Sequence, residues 1–234
     1  MSIKLPKETI EELDQLVTLL QKEDANERDR AMNLLEEFER SGKIPLSVLL
    51  ELASDENPAL SMYAIPALGR NRGSEAVKKL IELGEGARNG NPLFLELIVD
   101  ALGTAGSKEA TAFLLGLIGI QMGLKNKLLK SFTRGPKEEE AEAAERLKRH
   151  MELPVIRALE KIGDNRAAMM LGDYLNHKDP LVRWHAIQNM VNGEVQEFNE
   201  RLKEMAANDE SDLVRESADI AVGRLMPLPP EMNN

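Results

Sequence analysis

No cysteine occurs in the 234 residues, which excludes a disulfide framework, a thiolate metal site and a cysteine nucleophile. Aromatic residues make up only 3%, with a single tryptophan. The core must therefore be built from Leu, Ile, Val, Ala and Met, a palette that favours helices over strands. Long apolar runs are missing too. The most apolar stretch, Ala110 to Leu124, is broken by Gly116, Gly119, Gln121 and Gly123, short of the about 20 residues that span a bilayer. The first residues carry Lys4, Lys7, Glu8, Glu11, Glu12 and Asp14, leaving no uncharged segment for a secretory signal and giving the expectation of a cytoplasmic protein. Basic charge is in deficit: 40 acidic residues against 30 basic give a net charge of −10. Such a surface repels phosphate backbones, so nucleic acid is not expected as a partner.

What is present is a repeat. Four segments stack in register: PALSMYAIPALG ending at Gly69, PLFLELIVDALG at Gly103, ELPVIRALEKIG at Gly163 and DLVRESADIAVG at Gly223. A fifth, PLVRWHAIQNMV, ends at Val191. The spacing is 34 residues once and 60 twice, or about 30 to 34 per unit, a period typical of helical solenoids. Asn57-Pro58, Asn91-Pro92 and Asp179-Pro180 each place a capping side chain before a proline that is harmless at the first helical position. The closing glycines are expected to supply the left-handed residue that stops each helix. Before each of these helices lies another with apolar residues three and four apart, such as Val77, Leu80 and Ile81, or Phe198, Leu202 and Met205. One pair cannot bury both of its faces, so neighbours must stack into one continuous core.

The expectation is an all-α superhelix of about seven helical pairs over residues 1–226, followed by a Pro-rich flexible tail at 227–234. Ser107 to Arg134 and Lys137 to Gly163 read as two units, the first degenerate. The rival reading makes 121–150 an insertion into a shorter array.

Asp-Pro-Leu-Val-Arg…Ala at 179–186 and Ser-Asp-Leu-Val-Arg…Ala at 211–218 resemble the second helix of HEAT-like repeats, particularly the short bacterial type of phycobilisome-lyase-like proteins. The other units keep the small, apolar and glycine positions and lose the arginine. The resemblance implies a binding fold, and fold alone assigns no activity. Beside Arg183 and Arg215 stand Asp179 and Asp212, which favours hydrogen bonding between repeats over ligand capture.

Motifs for chemistry are sparse. Gly84, Gly86 and Gly90 form an imperfect dinucleotide loop in the wrong context, better read as turn glycines. His150, His177 and His185 make no metal-binding pair; the nearest carboxylate at helical spacing is Asp173, four before His177, and a histidine at a helix end needs no metal to explain it. No cofactor is expected.

Two surfaces remain as candidates for a partner. One is a variable stripe on the second helices, displaced from the core positions: Met62 and Pro66, Glu96 and Asp100, Ile156 and Glu160, Trp184 and Gln188, Glu216 and Ile220. If these helices line a groove, as the resemblance implies, its acids and its tryptophan suit a basic or amphipathic helical peptide. The other is an amphipathic segment over 124–137, with Leu124, Leu128 and Phe132 on one side and Lys125, Lys127, Lys130 and Arg134 on the other. It suits an acidic partner, although the acids at 138–142 follow at once. A non-enzymatic protein-interaction scaffold is the favoured reading. The alternatives are a phycobilin-lyase-like enzyme or accessory subunit and, further away, a DNA glycosylase of HEAT-like architecture, which the charge of −10 opposes.

Overall fold

The computed structural model describes residues 15, 16, 18, 19, 24–40, 44–55, 58–88, 90–120 and 138–225. Among them every regular element is helical. The chain divides into two compact units, Met1–Ala105 and Gly106–Asn234.

The first unit contains α1 (Ala25–Arg40), α2 (Leu46–Leu52), α3 (Pro58–Asn71), α4 (Ser74–Ala87) and α5 (Pro92–Ala105). Helix α2 pairs with α3 and α4 with α5; the second helices, α3 and α5, lie against each other, and α1 packs on α3. Sequence pattern dictates this. Leu60, Ala64, Ala67 and Leu68 on α3, Val77 and Leu80 on α4, and Leu95, Ile98, Val99 and Leu102 on α5 are all buried, each set recurring at three and four residues. At the start of α5 the Asn91 carboxamide accepts the Leu93 N–H at 3.0 Å, the expected cap before proline. Tyr63 is buried, and its hydroxyl donates to the Leu35 carbonyl at 2.9 Å, tying α1 to α3.

The second unit contains a 3-10 turn (Lys108–Ala110), α6 (Thr111–Leu117), α7 (Glu138–Ile162), α8 (Asn165–Met170), a second 3-10 turn (Gly172–Asn176), α9 (Pro180–Asn192), α10 (Asn199–Asn208) and α11 (Asp212–Leu225). Helix α6 pairs with α7, α8 and its following turn with α9, and α10 with α11, while α7, α9 and α11 stack in sequence. The all-α, paired-helix architecture expected from the repeat is thus present, with five pairs among the described residues.

Two expectations are corrected. Residues 138–162, assigned by spacing to a two-helix unit, form one continuous helix that pairs with α6. Its first half is EEEAEAAERLKRH, a run of strong helix formers with no Gly, Asn or Asp to end a first helix. Pro154 lies inside it and leaves the carbonyl four residues earlier without its intrahelical N–H. The marker glycines also differ in role. Only Gly163, at φ 62°, stops its helix in the left-handed region. Helices α3, α5 and α11 run past Gly69, Gly103 and Gly223. Gly69 is needed for proximity instead: a Cβ there would stand 2.6 Å from the Ala101 carbonyl oxygen, so α3 and α5 meet almost backbone to backbone. Residues 121–137 and the tail 226–234, with the sequence features assigned to them, lie outside the described residues.

Candidate functional site

In the second unit the face of α9 and α11 is set by their starts. Asp179 caps α9, its carboxylate accepting the Leu181 N–H at 2.9 Å, with Pro180 at the first helical position. Val182, Ala186, Ile187 and Met190 then turn inward, as do Val214, Ala218 and Ala221 on α11.

Arg183 is buried and fully engaged. Its Nε and Nη2 donate to the two carboxylate oxygens of Asp209 at 3.0 and 2.7 Å, and its Nη1 donates to the carbonyls of His177 and Lys178 at 2.8 and 3.2 Å. Burial pushes the Asp209 carboxyl up, but the bonds from Arg183 and from the Ser211 N–H outweigh it and leave it below the usual range. The repeat arginine therefore does bond between repeats, through Asp209 rather than the neighbouring Asp179 or Asp212. Asp179 caps its own helix, and Asp212 pairs with Arg215 one turn on within α11.

The stripe divides under inspection. Ile156 is fully buried. Glu160 meets His185 Nδ1 at 2.5 Å, joining α7 to α9; the Gln188 amide donates to the Ser217 hydroxyl at 2.8 Å, joining α9 to α11. Asn189 adds a buried bond to the Ile156 carbonyl at 2.9 Å. These polar groups stitch adjacent second helices. Trp184 is half-buried and edge-on to His185, with ring centroids 4.5 Å apart. Glu216 and Ile220 are exposed on α11, and so are Leu181 and Leu213, at equivalent positions in the first turns of α9 and α11. Those two leucines were missed by sequence reasoning. The signal was there: with Val182 and Val214 in the core, the preceding leucine of each Leu-Val-Arg must face outward.

In the first unit Met62 and Asp100 are exposed and Glu96 half-buried. Met62 stands on an apolar groove of about 930 Å³ formed where the start of α3 meets the end of α4 and the start of α5, walled mainly by Leu83, Ala87, Leu93, Phe94 and Leu97. Gly84 and Gly86 lie within α4, so the glycine cluster that mimics a dinucleotide loop is largely helix, and Gly86 serves as groove wall. Lys127, Lys130 and Arg134 lie outside the described residues.

Ionisable groups gather in one further hollow of about 540 Å³ lined by Lys148, Glu152, Asp173, Tyr174 and His177 with Ile118, Ile120 and Met170. His177 Nδ1 accepts the Asp179 N–H at 3.1 Å, which puts the ring proton of the neutral form on Nε2, 3.3 Å from Glu152. Both ring nitrogens are thus committed, at the end of a 3-10 turn. Burial, reinforced by Glu152, pushes Tyr174 up to about 12. Asp164, the cap of α8, is held at about 2 by hydrogen bonds from Arg166, against the opposing effect of burial, with Thr111 and the Arg166 N–H assisting. Its 2.7 Å bond from the Thr111 hydroxyl links α6 to the start of α8. Among the described residues no group of three His, Asp or Glu could hold a metal ion, and no helix is long and apolar enough to cross a membrane.

Residues 151–223, from the C-terminal half of α7 to α11, match the HEAT repeats family. No curated protein matches the chain. Among solved structures, the chain is similar to an engineered protein, with 19% identity and a TM-score of 0.48 over 91% of this chain and 98% of that one. It is also similar to human deoxyhypusine hydroxylase in complex with glycerol, with 17% identity and a TM-score of 0.33 over 93% and 96%. Likeness at these values transfers no activity.

Proposed function

We infer, for a chain whose residues 151–223 are HEAT repeats, that it is a non-enzymatic scaffold holding protein partners on the exposed face of its second helices. A cytoplasmic setting fits the charged start of the sequence. One observation carries the reading. Leu181, Leu213 and Ile220 are exposed around the half-buried Trp184, with Glu216 among them, on two adjacent helices. Inner repeat positions that carry polar stitches elsewhere, such as Gln188, are matched on α11 by the exposed Ile220. Clustered apolar side chains around an aromatic anchor are the composition of an interaction surface, and one carboxylate at the centre favours a basic or amphipathic segment. In the first unit Met62, Glu96 and Asp100 offer the same mixture of apolar and acidic groups.

The test is capture of partners from a cell lysate by the full chain, by Trp184→Ala and by Leu213→Glu, each variant first shown to keep its helical circular dichroism. Loss of the same partner in both variants supports this face; retention of every partner in both removes it. The bilin-lyase-like alternative has its own readout: visible absorbance that stays with the chain after incubation with a bilin would replace the scaffold reading.

A further inference from the structure

We propose that the apolar groove of the first unit is a docking site for a short amphipathic helix of a partner protein, its apolar side seated between α3, α4 and α5 and its flanks basic. This deepens the scaffold reading, on which it rests, by placing a partner's chemistry at one named site.

The groove is apolar where it is open. Met62 on α3 and Leu93 on α5 are 55% and 69% exposed, and between them lie Leu83, Phe94 and Leu97. Exposing side chains of this size in one concavity forgoes the stabilisation that burial would give, roughly 1.5 to 3 kcal/mol for each side chain fully covered. An occupant recovers it. At about 930 Å³ the space takes several leucine-sized side chains, the anchors an amphipathic helix presents at three and four residues.

Gly86 supplies the second observation. It lies inside α4 with ordinary helical backbone, outside the glycines at positive φ, and a Cβ placed on it would meet nothing within 4 Å. Neither conformation nor packing requires glycine there. Glycine in a helix costs about 1 kcal/mol relative to alanine. A local penalty without a local reason marks a position kept small for something else, and Gly86 forms part of the groove wall.

Charge selects the flanks. Glu82 is the only charged residue in the wall. The two charged residues of α5 are Glu96 and Asp100, both acidic, and α3 has no charged residue before Arg70. The nearby cations are engaged: Lys79 with Glu82 at 3.4 Å and Arg88 with Glu85 at 2.6 Å. A leucine stripe bordered by lysines or arginines meets this surface with complementary charge; one bordered by glutamates meets repulsion.

The experiment uses the full chain and a fluorescein-labelled 14-residue model helix with leucines at i, i+3, i+4 and i+7 and lysines elsewhere, read by fluorescence anisotropy. A matched peptide replaces lysine by glutamate. The expected result is binding of the lysine peptide, at least tenfold weaker binding of the glutamate peptide, and at least tenfold loss of lysine-peptide affinity in Gly86→Leu, whose new side chain fills the groove. Met62→Gln with Leu93→Gln, changed only at exposed positions, repeats the loss should Gly86→Leu fold poorly. Glu82→Gln is expected to flatten the salt dependence, and Trp184→Ala to bind as wild type.

Equal binding to wild type and to both groove variants overturns the proposal, as does equal affinity for the two peptides. Self-association of wild type that disappears in Gly86→Leu would make a second copy the occupant, and a neutral dye that the peptide fails to displace would make it a small apolar molecule; either overturns the helix. The partner captured through Trp184 is measured without changing the groove, so this proposal and the scaffold reading can fail separately.

Discussion

The two units bring their second helices together by different means. In the first, α3 and α5 approach through Gly69, whose missing side chain lets the Ala101 carbonyl come within what would be 2.6 Å of a Cβ, with apolar residues around it. In the second, α7, α9 and α11 are joined through side chains that reach across: Glu160 to His185, Gln188 to Ser217, Asn189 to the Ile156 carbonyl and Arg183 to Asp209. Close apolar packing is sensitive to a single methyl group, whereas a polar stitch is sensitive to the loss of either partner. One repeat plan can therefore carry different liabilities along a single chain.

The sharpest way to break the contrast is Asp209→Ala, which strands Arg183 with its charge buried. Removing one partner of a buried pair costs about 3 kcal/mol or more, to be read as a fall in the urea midpoint. Arg183→Met together with Asp209→Leu should recover much of that loss, since the penalty lies in the unpaired charge. Gly69→Ala should cost about 2 kcal/mol by overpacking, because the obstructing atom is backbone. Hydrogen exchange should place the weakening in α3 and α5. If Gly69→Ala is neutral, the close approach is adjustable and the contrast between the units falls.

Acid gives a smaller effect confined to the second unit. Asp164 is held at about 2, below its ordinary 3.8, so it contributes stability that is present above pH 4 and lost as the pH falls through about 2. Discounted for the exposed Arg166 partner, this is about 1 kcal/mol. Wild type and Asp164→Asn should accordingly differ in melting temperature at pH 7 and converge towards pH 2. Smallest is the Gln188–Ser217 bond, for which a double-mutant cycle to alanine should give a coupling of about 0.5 to 1 kcal/mol.

Much of the architecture was legible because it is periodic. The apolar spacing of Val77 and Leu80, the caps at Asn91 and Asp179, and the register of Ala64, Ile98, Ala158, Ala186 and Ala218 are local facts, and local hydrogen bonding with amphipathic burial turns them into paired helices. The candidate face was half legible. The sequence placed Trp184, Glu216 and Met62 off the core positions, and they are exposed or half-buried. It placed Glu160 and Gln188 beside them without distinguishing a free side chain from one that finds His185 or Ser217 on the next helix.

By itself, then, the sequence determined which segments become helices and which side of each turns inward, since both follow from residue spacing along one chain. Tertiary structure alone decided that Gly69 is a contact rather than a stop, that Arg183 chooses Asp209 over two nearer aspartates, and that Gly86 opens a groove. Each depends on distances between segments remote in sequence, and no period of 3.6 residues encodes those.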